Sequence, residues 1–129
     1  SPRAGTFEKK GGIKTVWACP AEPVLPDVPL VVWVDPATMG PAEIAAGVLR
    51  DFKRATVVGT PTAGLTAEQK LLPLDAGDGL LLTVGAFTLA SGEALFEKGL
   101  TPDVKIGPGK KTGADYLEKT KGLPGSRRP

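Results

Sequence analysis

The residues best placed for chemistry lie in a short turn between an apolar stretch and a helical one. The turn runs over residues 35–40 and reads DPATMG. A tight turn from a strand into a helix points backbone N–H groups outward, where they can hold a carbonyl oxygen or another anion. A nucleophile at Gly40 would stand at the mouth of such a site, but glycine has no side chain. The pattern therefore predicts a binding geometry whose central position carries no reactive group.

Other reactive side chains are few and isolated. The chain contains no histidine, which excludes histidine-based triads, imidazole metal sites and the usual general base. The one cysteine, Cys19, is expected to pack as a small hydrophobe, and the Thr38 hydroxyl to bond local backbone. Lys70 is expected to be solvated, and Asp75 and Asp78 to form an ordinary hairpin turn rather than a calcium loop. We therefore predict no metal and no cofactor.

The elements that must position the turn form a β–α–β unit. Residues 30–34 are consecutive apolar residues, which predicts a strand buried on both faces, as in a parallel sheet. A helix follows, with Pro41 in its first turn and Glu43 at the positive end of its dipole. A second short strand is predicted at residues 55–58, reached by a right-handed crossover. The apolar face of the helix is predicted to comprise Ile44, Val48, Leu49 and Phe52.

The rest of the chain predicts strands and loops around this unit. Residues 1–12 look like a ragged start in which Thr6 and Phe7 end a helix or loop, and residues 13–19 alternate as a half-buried strand. Four prolines make residues 20–29 an extended connector. Residues 59–69 form a Gly/Pro/Thr loop, and strands at 70–74 and 80–89 form a hairpin. Residues 114–121 predict a short amphipathic helix.

Chain length and charge limit the functions that this protein can have. A chain of 129 residues is long enough for one small domain, and no apolar run approaches the length that spans a bilayer. The net charge of +2 is uneven, because residues 110–129 carry six Lys/Arg and only two Asp/Glu. No aromatic platform or nucleic-acid motif accompanies these charges. We therefore predict a basic, flexible tail over 110–129 and no nucleic-acid partner.

Four stretches, in order, resemble the catalytic domain of the C-terminal processing peptidases, the tail-specific proteases of family S41. They read PLVVWVDPATMGPAEIAAGVLRDFKRATVVG, GTPTAGLTAEQ, LPLDAGDGLLLTVGAFTLASGE and FEKGLTPDV. The clearest match covers residues 29–104, and the resemblance implies an S41 peptidase-like domain over 1–109 whose upstream part is missing. The implied fold is α/β, of the ClpP/crotonase-like type, partial, with a βαβ core and a β-hairpin. A PDZ-like domain is usual in the family, and we expect none within these 129 residues.

The resemblance also implies a mechanism and its residues. In the family a serine in the turn attacks a peptide carbonyl, a lysine of lowered pKa in the next loop takes its proton, and a glutamine positions the lysine. Glu43 fixes the alignment, which places the nucleophile position at Gly40, the general-base position at Leu65 and the supporting amide at Gln69. Only the amide is retained. Without nucleophile and base, covalent Ser–Lys catalysis is lost.

Three functions follow from this pattern. The first is an inactive peptidase domain that binds an extended peptide or a protein C-terminus, with an exposed hairpin edge allowing strand addition. The second is an active peptidase with a non-standard nucleophile, for which Thr38 and Lys70 would be the residues to test. The third is a structural or assembly module in which Leu65 fills the cleft with apolar volume. The resemblance implies an extracytoplasmic location and leaves a homo-oligomer open.

Overall fold

The structure, a computed structural model, describes residues 2–19, 22, 27–109 and 111–123. These residues form two β-sheets and two α-helices. A four-stranded antiparallel sheet has the order β2-β1-β6-β5, and a three-stranded parallel sheet has the order β3-β4-β7. A single 3₁₀ turn, Asp75–Gly77, joins β5 to β6. The elements are β1 (Arg3–Lys9), β2 (Lys14–Ala18), β3 (Leu30–Val34), α1 (Pro41–Asp51), β4 (Ala55–Gly59), β5 (Ala67–Pro73), β6 (Gly79–Leu89), β7 (Val104–Lys105) and α2 (Gly113–Thr120).

The antiparallel sheet joins the two strands at the start of the chain to the β5–β6 hairpin. β1 lies at its centre, with Phe7 paired to Thr15 on β2 and to Phe87 on β6. The expectation that Thr6 and Phe7 end a helix or loop is therefore wrong. β1 pairs with the adjacent β2 across a turn at Gly11 and Gly12, which is a local hairpin signal, and with β6 some 80 positions later, which leaves none. The predicted β5–β6 hairpin is confirmed.

The parallel sheet contains the predicted β–α–β unit. β3 and β4 pair in parallel, with Val32 opposite Val57, and α1 makes the crossover. β7 adds two residues on the far side of β4. Asp103, just before β7, accepts a hydrogen bond from the Val57 N–H at 2.8 Å. The fold class, α/β with a βαβ core and a β-hairpin, is confirmed.

Helix α1 packs against β4 and β6 and closes the main core between the two sheets. Of the predicted apolar face, Ile44 and Val48 pack partly buried against this core, so the prediction is confirmed in part. The fully buried residues are instead Glu43, Ala46 and Gly47. Close packing explains the small residues, because a Cβ at Gly47 would lie only 3.0 Å from the Leu89 side chain. Phe52 is instead exposed. The main core comprises Val34, Ala46, Val57, Phe87, Leu89, Leu95 and Leu100.

A smaller core lies on the opposite face of the parallel sheet, under α2. There Tyr116 packs with Val58 and Ile106, and its hydroxyl donates to the Val34 carbonyl at 2.8 Å. Gly113–Thr120 was expected to belong to a flexible basic tail, and the structure differs in placing it in a packed helix. The domain boundary at residue 109 stays a prediction, and residues 124–129 lie outside the described part, as does most of the proline-rich connector.

Neither helix in the described ranges has the length and apolar character needed to cross a membrane.

Candidate functional site

The turn after β3 is fixed by Asp35. Its Oδ1 accepts hydrogen bonds from the N–H groups of Ala37 at 2.9 Å and Thr38 at 3.0 Å. The Thr38 Oγ1 in turn accepts from the Asp35 N–H at 3.1 Å. A short acidic side chain bonding backbone two and three residues on is what shapes such a turn. The Thr38 hydroxyl therefore has a local structural partner, and the Asp35 carboxylate is committed to the turn.

Gly40 ends this turn in a backbone conformation that side-chain-bearing residues rarely adopt. Its φ is +59° and its ψ is −127°. For an L residue this conformation costs about 1–3 kcal/mol, and it recurs at functional sites because surrounding structure enforces it. A sharp, strained strand-to-helix turn is also how nucleophile elbows expose a serine side chain. Gly40 therefore forms a sharp strand-to-helix turn without strain, and it carries no side chain.

Glu43 connects this turn to the loop between β4 and β5. Its side chain is fully buried. One carboxylate oxygen, Oε2, accepts from the Gly40 N–H at 3.0 Å and the Leu65 N–H at 2.8 Å. The other, Oε1, accepts from the Gly64 N–H at 2.7 Å and from the Thr62 hydroxyl. We call these five residues the Glu43 cluster. Four donors on two oxygens satisfy a buried carboxylate that would otherwise be costly to desolvate.

The loop on the other side of the Glu43 cluster is itself anchored. The Thr62 Oγ1 accepts from the Leu100 N–H at 2.7 Å, and the Thr62 N–H donates to the Leu100 carbonyl at 3.2 Å. Gly99 permits this contact, because a Cβ there would lie 2.2 Å from the Thr62 carbonyl oxygen. The Glu43 cluster is thus tied to the core through residues far apart in sequence.

The structure brings two of the three predicted site positions together. Gly40 and Leu65 share one carboxylate oxygen, and a Cβ built on Gly40 would lie 3.6 Å from the Leu65 carbonyl oxygen. Gln69 lies further along β5, exposed and paired with Thr83. Among the described residues no hydrogen bond joins its side chain to Gly40 or Leu65. The three roles assigned from the resemblance stay predictions.

Leu65 does not fill the site with apolar volume. Its side chain is 57% exposed. Next to it, the Thr66 side chain is buried and its hydroxyl has no hydrogen-bond partner among the described residues. The expectation that a leucine at the base position closes the cleft requires a buried side chain, which the structure does not place there.

The other candidates are scattered. Lys70 is exposed and pairs with Leu82, so its side chain leaves the face that carries Gln69. Asp75 and Asp78 are exposed in the hairpin turn, and Cys19 is half-buried beyond the end of β2.

The turn offers fewer free donors than the sequence suggested. The Gly40 N–H is bound to Glu43, and Pro41 has no N–H to give. The N–H groups of Ala37 and Thr38 are bound to Asp35. Within the described part of the chain, the turn leaves the N–H groups of Met39 and Ala42 without a protein acceptor. A carbonyl oxygen of a ligand could accept hydrogen bonds from those two N–H groups.

Sequence reasoning missed the Glu43 cluster. From the sequence, Glu43 was interpreted only as a partner of the helix dipole and as the residue that fixes the alignment with the family. The available signal was a glutamate one turn before Ala46 and Gly47, on the small-residue face of a helix, near a Gly/Thr loop. A carboxylate on a buried face requires donors, and glycine-rich loops provide backbone N–H groups.

The fold and the site can be compared with known proteins. A chloroplastic carboxyl-terminal-processing peptidase 2 of Arabidopsis thaliana is 40% identical over 75 residues, 58% of this chain and 15% of the relative. A chloroplastic C-terminal processing peptidase of Tetradesmus obliquus is 31% identical over 97 residues, 75% of this chain and 21% of the relative. This chain therefore spans about a fifth or less of the length of these relatives.

Solved structures with the same fold are also similar to this chain. A photosystem II D1 C-terminal processing protease superposes with a TM-score of 0.76 and 25% identity over 97% of this chain and 33% of its own. A lipoprotein from Streptococcus agalactiae shares the fold at a TM-score of 0.67 with 19% identity, over 81% of this chain and 40% of its own. The sequence model of Peptidase family S41 matches residues 4–106. Together with the order of strands, turn and helix around Gly40, this match shows that the chain is part of a peptidase domain and belongs to peptidase family S41.

Proposed function

We propose that this S41 domain binds an extended peptide or protein segment and does not hydrolyse it by Ser–Lys chemistry. One observation carries the proposal. The Glu43 cluster holds Gly40 against Leu65 at the two positions where the family resemblance puts nucleophile and base, and neither residue has a nucleophilic or basic side chain. Without both groups a covalent acyl transfer has no first step.

The preserved scaffold supports binding over a purely structural role. The exposed Leu65 leaves the site unfilled by the apolar side chains of the residues that the structure describes. The relatives are described as processing proteases and peptidases, so their ligand class is a polypeptide, and a peptide or protein C-terminus is the ligand we assign here. Two of those relatives are described as chloroplastic, which is consistent with a location outside the cytoplasm for this chain.

Proteolysis and binding of one unfolded substrate test the proposal. The parent chain is compared with a Gly40→Ser/Leu65→Lys double variant on fluorescently labelled, reduced and carboxymethylated α-lactalbumin. Anisotropy reports binding, and gel electrophoresis reports cleavage. The matched control makes the same two changes elsewhere, as Gly92→Ser/Leu71→Lys. Gly92 also has a positive φ (+91°) and Leu71 is also exposed, at 64%.

We expect the parent and the control to bind without cutting. Cleavage by the double variant alone would locate the loss of activity at residues 40 and 65. Cleavage by the purified parent, abolished by Thr38→Ala or Lys70→Ala, would refute the proposal in favour of a non-standard nucleophile. A parent that neither binds nor cuts would also refute it, and a structural role would remain.

A further inference from the structure

The peptide group at the end of strand β3 is held by hydrogen bonds from three parts of the chain. The peptide bond between Val34 and Asp35 is planar, so its C=O and N–H groups turn together as one rigid unit. The Val34 carbonyl accepts from the Tyr116 hydroxyl at 2.8 Å and from the Thr60 N–H at 3.2 Å. The Asp35 N–H donates to the Thr38 Oγ1 at 3.1 Å. Helix α2, the loop after β4 and the turn therefore set the orientation of this peptide group together.

This peptide group lies at the start of the candidate site. Thr38, which accepts from its N–H, stands directly before one of the two residues whose N–H groups are left for a ligand. The Thr38 carbonyl also accepts from the Ala63 N–H at 3.1 Å. Ala63 lies between Thr62 and Gly64, which both donate to the carboxylate of the Glu43 cluster. A rotation of the 34–35 peptide would therefore displace the turn and, through Thr38, the loop bound to it.

Close packing brings the Tyr116 hydroxyl to this carbonyl. Gly59 ends β4 beside Val34 with a φ of +147°, and a Cβ there would overlap the Val34 carbonyl oxygen and lie 3.1 Å from the Tyr116 ring. The ring itself is buried against Val58 and Ile106. The glycine thus leaves the space through which the ring approaches, and the small core holds the ring in place.

The helix that carries Tyr116 is also fixed by contacts other than this bond. The Trp33 Nε1 donates to the Thr120 Oγ1 at 2.9 Å, and the Trp33 and Tyr116 rings lie 5.4 Å apart. At the start of the helix, the Thr112 N–H donates to the Asp115 carboxylate at 2.7 Å. Removing the Tyr116 hydroxyl therefore takes away one bond to the end of β3 and leaves α2 docked.

α2 lies outside residues 4–106, which the family model matches. We propose that Tyr116 is a positioning residue for the candidate site: its hydroxyl fixes the 34–35 peptide and, through it, the turn that receives the polypeptide. The inference rests on the proposed function and names an element beyond the family match that controls the same site. When the hydroxyl is lost, the Thr60 N–H still satisfies the Val34 carbonyl, so the change acts on the orientation of the peptide group rather than on the fold.

Removal of this one hydroxyl tests the inference. Tyr116→Phe is compared with the parent for binding of the labelled α-lactalbumin by anisotropy. Hydrogen exchange is followed at the amides of Ala37 and Thr38, which are bonded within the turn. The matched control is Asp51→Ala, which removes a 3.1 Å bond from the Ser91 N–H to a side chain at the other end of α1. Circular dichroism verifies that both variants fold.

We expect Tyr116→Phe to raise the Kd for α-lactalbumin about three- to tenfold, the range that the loss of one hydrogen bond allows. Exchange at Ala37 and Thr38 should accelerate, because these amides exchange through local opening of the turn. Asp51→Ala should change the Kd and both exchange rates less than twofold, since its lost bond does not touch the 34–35 peptide.

A fluorine label provides a second measurement that needs no substitution of Tyr116 by another residue. Tyr116 is the only tyrosine in the chain, so 3-fluorotyrosine incorporated during expression reports on this position alone. Saturating α-lactalbumin should shift its fluorine resonance, because coupling between two positions acts in both directions. This measurement decides the question if Tyr116→Phe fails to fold.

Other results overturn the assignment. If the parent binds α-lactalbumin and Tyr116→Phe matches it in Kd and in exchange, Tyr116 only stabilises the fold, and the proposed function still stands. Equal weakening of binding by Asp51→Ala would attribute the effect to a general loss of stability. An unchanged fluorine resonance at saturation would show that Tyr116 and the site are not coupled. A parent that binds no polypeptide would refute both this inference and the proposed function.

Discussion

Replacing Glu43 by glutamine tests whether the Glu43 cluster holds the turn and the loop together. The change keeps the shape of the side chain but turns one acceptor oxygen into an NH₂ donor. The carboxylate accepts from three backbone N–H groups and one hydroxyl. The amide of glutamine can accept from only one of the two donor pairs. The other two donors then face the new NH₂ group, which is itself a donor, in a fully buried site.

The structure indicates which pair is lost. The Thr62 hydroxyl can rotate and accept from the new NH₂, whereas the Gly64 N–H cannot. The least costly arrangement therefore leaves one buried backbone N–H without an acceptor, at about 1–3 kcal/mol. It also replaces the remaining charge-assisted bonds by neutral ones, which are roughly half as strong. We expect a total loss of about 2–4 kcal/mol in the free energy of unfolding.

Urea denaturation followed by circular dichroism measures this loss. With a dependence on urea of about 1–3 kcal/mol/M, the midpoint should fall by about 0.7–4 M. Glu118→Gln is the matched control, since its carboxylate is exposed and, within the described ranges, forms an ion pair only with Lys121; its loss should stay within about 0.5 kcal/mol. Hydrogen exchange should accelerate at the amides of Gly40, Gly64 and Leu65. A Glu43→Gln midpoint equal to that of Glu118→Gln would refute the reasoning.

Three further predictions follow from single contacts. Gly40→Ala should lower the free energy of unfolding by about 1–3 kcal/mol, because φ is +59° at this position. Gly113→Ala should not lower it, because no atom lies within 4 Å of where the new Cβ would be placed. Thermal unfolding compares the two variants, and equal midpoints would contradict the backbone argument. Tyr116→Phe should cost about 0.5–1.5 kcal/mol in urea denaturation by removing the bond to the Val34 carbonyl, and no loss would show that bond to be weak. The Thr112 N–H and hydroxyl, and then the charge of Lys111, lower the pKa of Asp115 below its usual 3.8, so its contribution to stability is present above that value and is lost as the pH falls through the lowered pKa. Asp115→Asn should therefore flatten the acid limb of the pH–stability curve, and an unchanged limb would count against this capping interaction.

Local pattern was enough to predict the elements around the turn. The apolar run of β3, the glycine and proline of the turn and the helix after it are each encoded within a few residues. The same holds for the hairpin, whose two strands are adjacent in sequence. The helix α2 was also predicted from its periodicity, although its packing against Val58 was not.

Long-range contacts explain what local pattern did not predict. The central place of β1 in its sheet depends on β6, and the burial of Glu43 depends on Thr62 and Gly64, about 20 residues later. The fully buried part of the α1 face was not predicted for the same reason, since the Leu89 side chain leaves room only for glycine at position 47, whereas Ile44 and Val48 were predicted correctly to pack on the core. The hydrophobic pattern of each separate segment does not predict which other segment it will contact.

The central position of β1 has a consequence for synthesis of the protein on the ribosome. Gly5 is paired with Leu89, so β1 leaves the ribosome long before its second partner strand, β6, has been synthesised. At about 5–20 residues per second, the chain between them takes on the order of 4–16 s to make. During that interval β1 and β2 form at most an isolated hairpin, which is marginally stable in water, with Trp17 and Phe7 exposed. The aromatic cluster of Phe7, Trp17 and Phe87 therefore forms late, and a chaperone that holds aromatic segments would have its longest opportunity at β1 and β2.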